Sequence, residues 1–219
     1  MRAAMAHEGR AVAAWLALGV VSFALLPWYF LADKSVLQAL PAVWGAADSA
    51  SGALQAAVYG RPWLWVAPIG LAIALVGWRA GSRSRQGALL LAGGLVALLG
   101  ILVSGFAIGA TGWSFAALAG VFGALPSGQP GIGLGGALTL LASLMLLGAG
   151  VARLGWVRGD AFTASAIVFC SALLLLFVAF PVARALAGAF VDESGQFSLA
   201  ALAGRIGNEP TWGLGCLAG

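Results

Sequence analysis

Five long apolar runs limit what this chain can fold into. Each has about 16–24 residues with almost no charge, close to the ~20 residues that a helix needs to cross a ~30 Å hydrocarbon core. The runs are continuous and do not alternate between polar and apolar positions, which excludes the pattern of a membrane β-barrel. We therefore predict an all-α, polytopic transmembrane helix bundle of about five spans, at residues 11–32, 63–78, 87–110, 131–151 and 162–182.

The scarcity of charge points to lipid as the main solvent. Only 8% of the residues are charged and 62% are hydrophobic, whereas a soluble domain carries about 25% charged residues. The formal charge of +4 comes from arginines in short loops between apolar runs, which is typical of membrane orientation. We therefore expect the lipid bilayer as a partner and no nucleic acid.

The distribution of Lys and Arg predicts the orientation of the spans. Alternate loops hold most of the cations, and the loops between them hold only Lys34 and Arg61. Because cytoplasmic loops carry the excess of Lys and Arg, we predict a multi-pass protein of the bacterial inner membrane with the N-terminus inside and the C-terminus outside. With Arg2 and Arg10 of the N-terminal tail, the predicted topology determinants are Arg79, Arg83, Arg85, Arg153 and Arg158.

The ends of the spans and the loops carry further expectations. The first run is longer than the ~7–15-residue apolar core of a signal peptide, so we expect it to be retained, with cleavage as the alternative. Residues 36–44 and 50–59 are predicted as short helices along the membrane interface, and 113–125 as an interfacial or re-entrant helix.

Small residues in the third run suggest a packing face. Gly105 and Gly109 are four residues apart, as are Gly100 and Ser104, and this spacing lets membrane helices approach closely. On this basis Gly105→Leu should weaken helix packing. The alternative is a glycine-rich apolar helix without a specific partner.

No motif predicts catalysis or a cofactor. Gly131, Gly133 and Gly136 satisfy G-x-G-x-x-G, but a membrane span follows them where a nucleotide site would need a βαβ unit. The one acidic pair, Asp192 and Glu193, lies in a predicted turn. The middles of the predicted spans hold no Asp, Glu, Lys or His, the residues that usually mark ion paths in membranes. We therefore expect no enzyme, no catalytic or cofactor-binding residue and no metal site.

Residues 173–202, LLLLFVAFPVARALAGAFVDESGQFSLAAL, resemble a known family. They look like the opening of a permease subunit of bacterial binding-protein-dependent ATP-binding-cassette importers, most closely the ferric-iron type. In that family an early helix ends near a proline and a short outer segment follows it. The positions that match the pattern are Ala189, Phe190, Asp192, Gly195, Phe197, Ser198 and Leu199.

The resemblance implies a cytoplasmic ATPase subunit and a periplasmic binding protein as partners. It also implies two regions: four spans in residues 1–161, and a fifth span with an outer segment in 162–219 that resembles the start of a permease domain. The chain has no counterpart of the family's ATPase-coupling loop, so we expect an N-terminal portion of a larger permease or a truncated product. The alternative is a complete small polytopic protein with a structural or accessory role.

Overall fold

The structure is a computed structural model in which helices account for most of the chain. It describes residues 2–31, 35–44, 46–47, 49–109, 112–113, 116–125, 131–157, 160–190 and 198–206. Five helical segments are long and apolar enough to cross a membrane, which agrees with the predicted helical class and is compatible with a multi-pass membrane protein. These segments are Glu8–Leu25, Pro62–Arg79, Arg83–Ala107, Leu134–Leu154 and Ala161–Ala183.

The long helices are joined by short helical turns and one small hairpin. In chain order the elements are α1 (Arg2–Leu25), α2 (Val36–Ala39), a 3-10 turn (Leu40–Ala42), α3 (Gly52–Ala57), a second 3-10 turn (Pro62–Trp65), α4 (Val66–Arg79), α5 (Arg83–Ala107), β1 (Ile108–Gly109), β2 (Gly112–Trp113), α6 (Ala116–Phe122), α7 (Leu134–Leu154), α8 (Ala161–Leu174), a π-helical turn (Leu175–Ala179), α9 (Phe180–Ala189) and α10 (Leu199–Ile206).

The first helix differs from its predicted bounds at both ends. It begins in the polar tail at Arg2 and ends at Leu25, whereas the apolar run continues to residue 32. Proline lacks the N–H that an interior helical position needs, and Pro27 instead bridges Ser51 while Tyr29 bridges Ile132. The apolar residues after Leu25 therefore leave the helix to join an irregular cap, which we define as residues 26–31, 49–65 and 131–136.

The predicted interfacial helices are shorter than expected. Residues 36–44 contain α2 and a 3-10 turn, and residues 50–59 contain α3. The predicted helix at 113–125 is corrected: Trp113 belongs to β2, which pairs antiparallel with β1, and only Ala116–Phe122 is helical.

Contacts divide the chain into two compact units, Met1–Phe169 and Cys170–Gly219, and the division lies inside α8. In the first unit α5 packs against both α4 and α7, and α1 packs against both α7 and α4. The four long helices thus form a closed ring in the order α1, α4, α5, α7. One core cluster, from Val12 and Leu16 to Leu90 and Leu146, fills the ring, and a second, around Phe23 and Trp28, lies under the cap.

Glycines bring the backbones of the ring into direct contact. A methyl group built at Gly93 of α5 would lie 2.5 Å from the Ala74 nitrogen and from the Gly70 oxygen of α4. One built at the next residue, Gly94, would lie 2.7 Å from the Leu147 nitrogen of α7. The two adjacent glycines therefore allow α5 to approach α4 on one side and α7 on the other. Helix α5 is the central helix of this unit.

The second unit, in the residues described, consists of the end of α8, the π-helical turn, α9 and α10. The turn Leu175–Ala179 ends two positions before Pro181, and the Phe180 nitrogen donates to the Leu175 oxygen. Pro181 has no N–H to donate into the helix, so the π-helical turn lies next to an interruption of the regular hydrogen bonding. The fifth span is therefore helical but locally irregular.

Candidate functional site

No cluster of catalytic or metal-binding side chains is found where the structure describes the chain. Within those residues no group of three or more His, Cys, Asp and Glu could hold a metal ion. Three features stand out instead: an apolar cavity beside the cap, a cavity lined by arginines at the other end of the first unit, and the exposed fifth span. Each is suited to binding, and none shows a nucleophile beside a base.

The four predicted packing residues do not act together. A methyl group built at Gly100 would lie 2.5 Å from a Val66 side-chain carbon, so α5 approaches α4 closely there. Ser104 is buried, and its hydroxyl donates to the Ile101 oxygen at 2.8 Å. Gly105 is not a packing contact among the described residues, contrary to the prediction, because a methyl group built there meets none of their atoms within 4 Å. Gly109 lies in β1, beyond the helix.

The predicted topology determinants occupy different environments. Arg83 and Arg153 line one cavity together with Glu8. The Arg79 guanidinium lies 5.5 Å from the centre of the Trp78 ring, and Arg85 is exposed. Arg158 lies outside the described residues. We call the end of the first unit that carries Glu8, Arg79, Arg83 and Arg153 the basic end.

The apolar cavity lies between α4, α5 and the segment that follows α5. It has a volume of about 450 Å³, and its wall includes Val66, Leu99, Gly100 and Val103. Three aromatic rings, of Trp63, Trp113 and Phe122, close one side of it, with ring centres 5.0 to 6.1 Å apart. Such a wall can hold an acyl chain or another apolar group.

Few polar atoms face this cavity. The Trp113 indole N–H is already used, since it donates to the Gly123 oxygen at 2.9 Å. The Trp63 indole nitrogen is buried and has no hydrogen-bond partner within the described residues. Because a buried unpaired donor is costly, a bound group that offers a carbonyl oxygen would be favoured at Trp63.

A buried arginine lies in the cap. Arg61 is 6% exposed, and its guanidinium lies 4.4 Å from the centre of the Tyr29 ring, a cation–π distance. Burial raises the pKa of the Tyr29 phenol, and the charge of Arg61 opposes that effect. Neither the Tyr29 hydroxyl nor the Arg61 Nη1 has a hydrogen-bond partner in the part of the chain described. Sequence reasoning placed Arg61 in a loop and missed its burial.

The fifth span is the most apolar of the candidate spans and the least covered by protein. Its 18-residue apolar window has a mean hydropathy of 2.7 and no buried residue, whereas the window in Leu134–Leu154 is 56% buried. Its large side chains are exposed at consecutive positions, including Leu174, Leu175 and Phe177. Consecutive residues on a helix point in different directions, so exposure extends around the helix rather than along one stripe.

Only the start of α8 packs within the first unit. Asp160 caps it by accepting hydrogen bonds from the Thr163 nitrogen at 2.9 Å and the Thr163 hydroxyl at 2.7 Å, and these bonds lower the pKa of the Asp160 carboxyl. A methyl group built at Gly148 of α7 would lie 2.5 Å from the Ser165 Cα. After this contact Ala166, Val168 and Phe169 are still partly buried, and from residue 173 to residue 183 the side chains are exposed.

Comparisons with protein-family models, with curated proteins and with solved structures find no match to this chain.

Proposed function

We propose that this chain is a permease component of a bacterial ATP-binding-cassette importer in the inner membrane, and that the helix around Phe177 packs against the transport core. The observation that carries the proposal is the bare fifth span, with no buried residue in its apolar window. Beyond the start of α8, which packs against α7, the large side chains of this span are exposed among the described residues, so they are available for contact with other helices. The resemblance of residues 173–202 to importer permeases identifies the class of partner.

The proposal includes an orientation and a substrate class. The N-terminus lies in the cytoplasm and the C-terminus outside, because Arg79, Arg83 and Arg153 lie at loops on one side of the predicted topology. The partners are a cytoplasmic ATPase subunit and a periplasmic binding protein, and ferric iron is the substrate that the resemblance implies. In this proposal the chain contributes membrane helices to the permease.

The second candidate function is a structural or accessory role for a small polytopic protein. The closed ring of α1, α4, α5 and α7 favours it, because these helices bury their core without help from another chain. In that case lipid would surround the fifth span. The two candidate functions therefore differ in whether protein or lipid contacts the side chains after Cys170.

Site-specific photocrosslinking in native membranes distinguishes them. A photoreactive residue replaces Phe177, which is 69% exposed, and the matched control carries it at Val76 of α4, which is 63% exposed. We expect position 177 to form a covalent product with a transport subunit and position 76 to react with lipid only. Lipid products alone at both positions would favour the accessory function.

A further inference from the structure

The cavity at the basic end has the properties of a site for a charged ligand. It has a volume of about 350 Å³, within the ~300–1,000 Å³ range of ligand sites. Its wall combines Glu8 from α1, Trp78 from α4, Arg83 and Gln86 from α5, and Arg153 from α7. Each of the four ring helices therefore contributes to one small space.

Arg153, one of the two arginines in the cavity wall, has a buried N–H group, at Nη1, without a hydrogen-bond partner among the described residues. Buried polar groups in native proteins are almost always paired, and an unpaired donor on a charged group is especially costly. Because Arg153 also lines the cavity, an anionic group bound there could pair with its guanidinium. Arg83, exposed at the start of α5, can supply a second guanidinium to the same ligand.

The other polar groups of the wall are already engaged. The Trp78 indole N–H donates to the Gly9 oxygen at 3.2 Å, and the Gln86 amide donates to the Ala80 oxygen at 2.7 Å. These bonds hold the wall in place, and the Arg153 Nη1 is the buried donor without a partner among the described residues of this wall. Arginine binds phosphate oxygens with paired N–H groups, which suits it to a phosphate ester.

The carboxylate of Glu8 restricts the ligand further. Glu8 weakens the attraction of the two guanidiniums for a phosphate alone, whereas a ligand that also carries an ammonium group would match both signs of charge in the wall. The first four candidate spans begin or end on this side, at Glu8, Arg79, Arg83 and Leu154. The cavity therefore lies at the depth of lipid headgroups, where Trp78 is also favoured.

We propose that this cavity binds the headgroup of an aminophospholipid, phosphatidylethanolamine, with its phosphate on Arg83 and Arg153 and its ammonium on Glu8. This goes beyond the proposed importer function and does not depend on it. The shared chemistry is a phosphate ester with a primary amine, and a soluble phosphoethanolamine would present the same groups. The membrane lipid is favoured because the cavity lies at the ends of the spans.

Lipid titrations of the purified full chain, followed by native mass spectrometry, test the proposal. The probes are phosphatidylethanolamine, phosphatidylglycerol, phosphatidylcholine and free phosphoethanolamine. We expect phosphatidylethanolamine to bind best, and Arg153→Gln to weaken its binding about tenfold or more, as for the loss of a charge-assisted hydrogen bond. Arg83→Gln, an exposed change that leaves the core intact, should weaken it in the same direction. Arg85→Gln, at the same end but outside the cavity, is the control and should change nothing.

Glu8→Gln tests the role of the carboxylate. It should abolish the preference for phosphatidylethanolamine over phosphatidylglycerol, because the ammonium loses its counter-charge. An unchanged preference in Glu8→Gln, or parental affinity in both Arg83→Gln and Arg153→Gln, would overturn the proposal. Binding of free phosphoethanolamine as tightly as the lipid would also overturn it, since the ligand would then be a soluble phosphate ester.

Discussion

Gly93→Ala is expected to destabilise the protein, although alanine is the better helix former. In an exposed helix this change would gain about 1 kcal/mol. At Gly93 the new methyl group would lie 2.5 Å from backbone atoms of both Gly70 and Ala74, and a backbone cannot move aside as a flexible side chain can. Overpacking of this kind costs about 1–3 kcal/mol, so the net effect is a loss. Gly93→Leu should be worse, with loss of the folded ring.

The matched control for this prediction is in the same helix. Gly105→Ala should leave the melting temperature unchanged or raise it, and Gly105→Leu should not weaken helix packing, because a methyl group built there meets no atom of the described residues within 4 Å. The measurement is thermal unfolding of the purified variants in one detergent. The melting temperature of a chain of this size changes by about 2–4 °C per kcal/mol, so a decrease for Gly93→Ala can be distinguished from no change or an increase for Gly105→Ala. Equal shifts at Gly93 and Gly105 would contradict the close contact of α4 and α5.

Gly133→Ala is expected to have the second large effect, on the cap. Its nitrogen donates to the Trp28 oxygen at 2.8 Å, and an added methyl group would overlap the Tyr29 carbonyl. The backbone of Gly133 is extended, with φ at −90°, so alanine can adopt its conformation and the effect comes from contact alone. We expect a loss of about 3 kcal/mol, at the upper end for overpacking.

Gly131→Ala is the control in the same loop, because its added methyl group would meet only the Phe30 Cβ at 3.8 Å, an ordinary contact. Hydrogen exchange of the cap reports the result. Faster exchange at Trp28 and Gly135 in Gly133→Ala, with parental exchange in Gly131→Ala, is the expected outcome. Parental exchange in both variants would show that the segment around Gly133 does not pack against residues 27–29.

The spans were predictable because lipid imposes a simple requirement on sequence. A helix must be apolar for about 20 residues to cross a bilayer, so the runs in the sequence and the helices in the structure agree within several residues. One large difference is the end of α1, where the apolar run continues past Pro27 but the helix does not. Hydropathy does not distinguish a spanning residue from an apolar residue buried in a cap.

The packing faces were much harder to predict. Helix α5 contains glycines at many positions, and spacing alone favoured Gly105 as a contact. Which glycine meets a neighbour depends on the direction from which α4 and α7 approach, and that information is distributed over all three helices. The pattern Gly131, Gly133, Gly136 likewise satisfies a nucleotide-binding motif, yet Gly133 packs against the backbone of Tyr29, and Gly136 packs against the Ile132 side chain.

The sequence predicted only part of the cavity at the basic end. Arg83 and Arg153 were predicted to lie on one side of the membrane because of their charge, and the structure brings them to one cavity. The sequence did not predict a site at Glu8, because this residue is a single acid in a polar tail. Its place beside two arginines follows from the extension of α1 back to Arg2, which hydropathy did not predict.

The most direct test of the importer proposal is the composition of the native complex. A tag on the N-terminus, introduced at the chromosomal locus, allows the chain to be purified from native membranes, sized by blotting and assayed for ATP hydrolysis. The proposal predicts a complex well above 22.0 kDa that contains a cytoplasmic ATPase subunit and hydrolyses ATP. A single 22.0 kDa polypeptide without ATPase activity would contradict it and leave the accessory role as the better account.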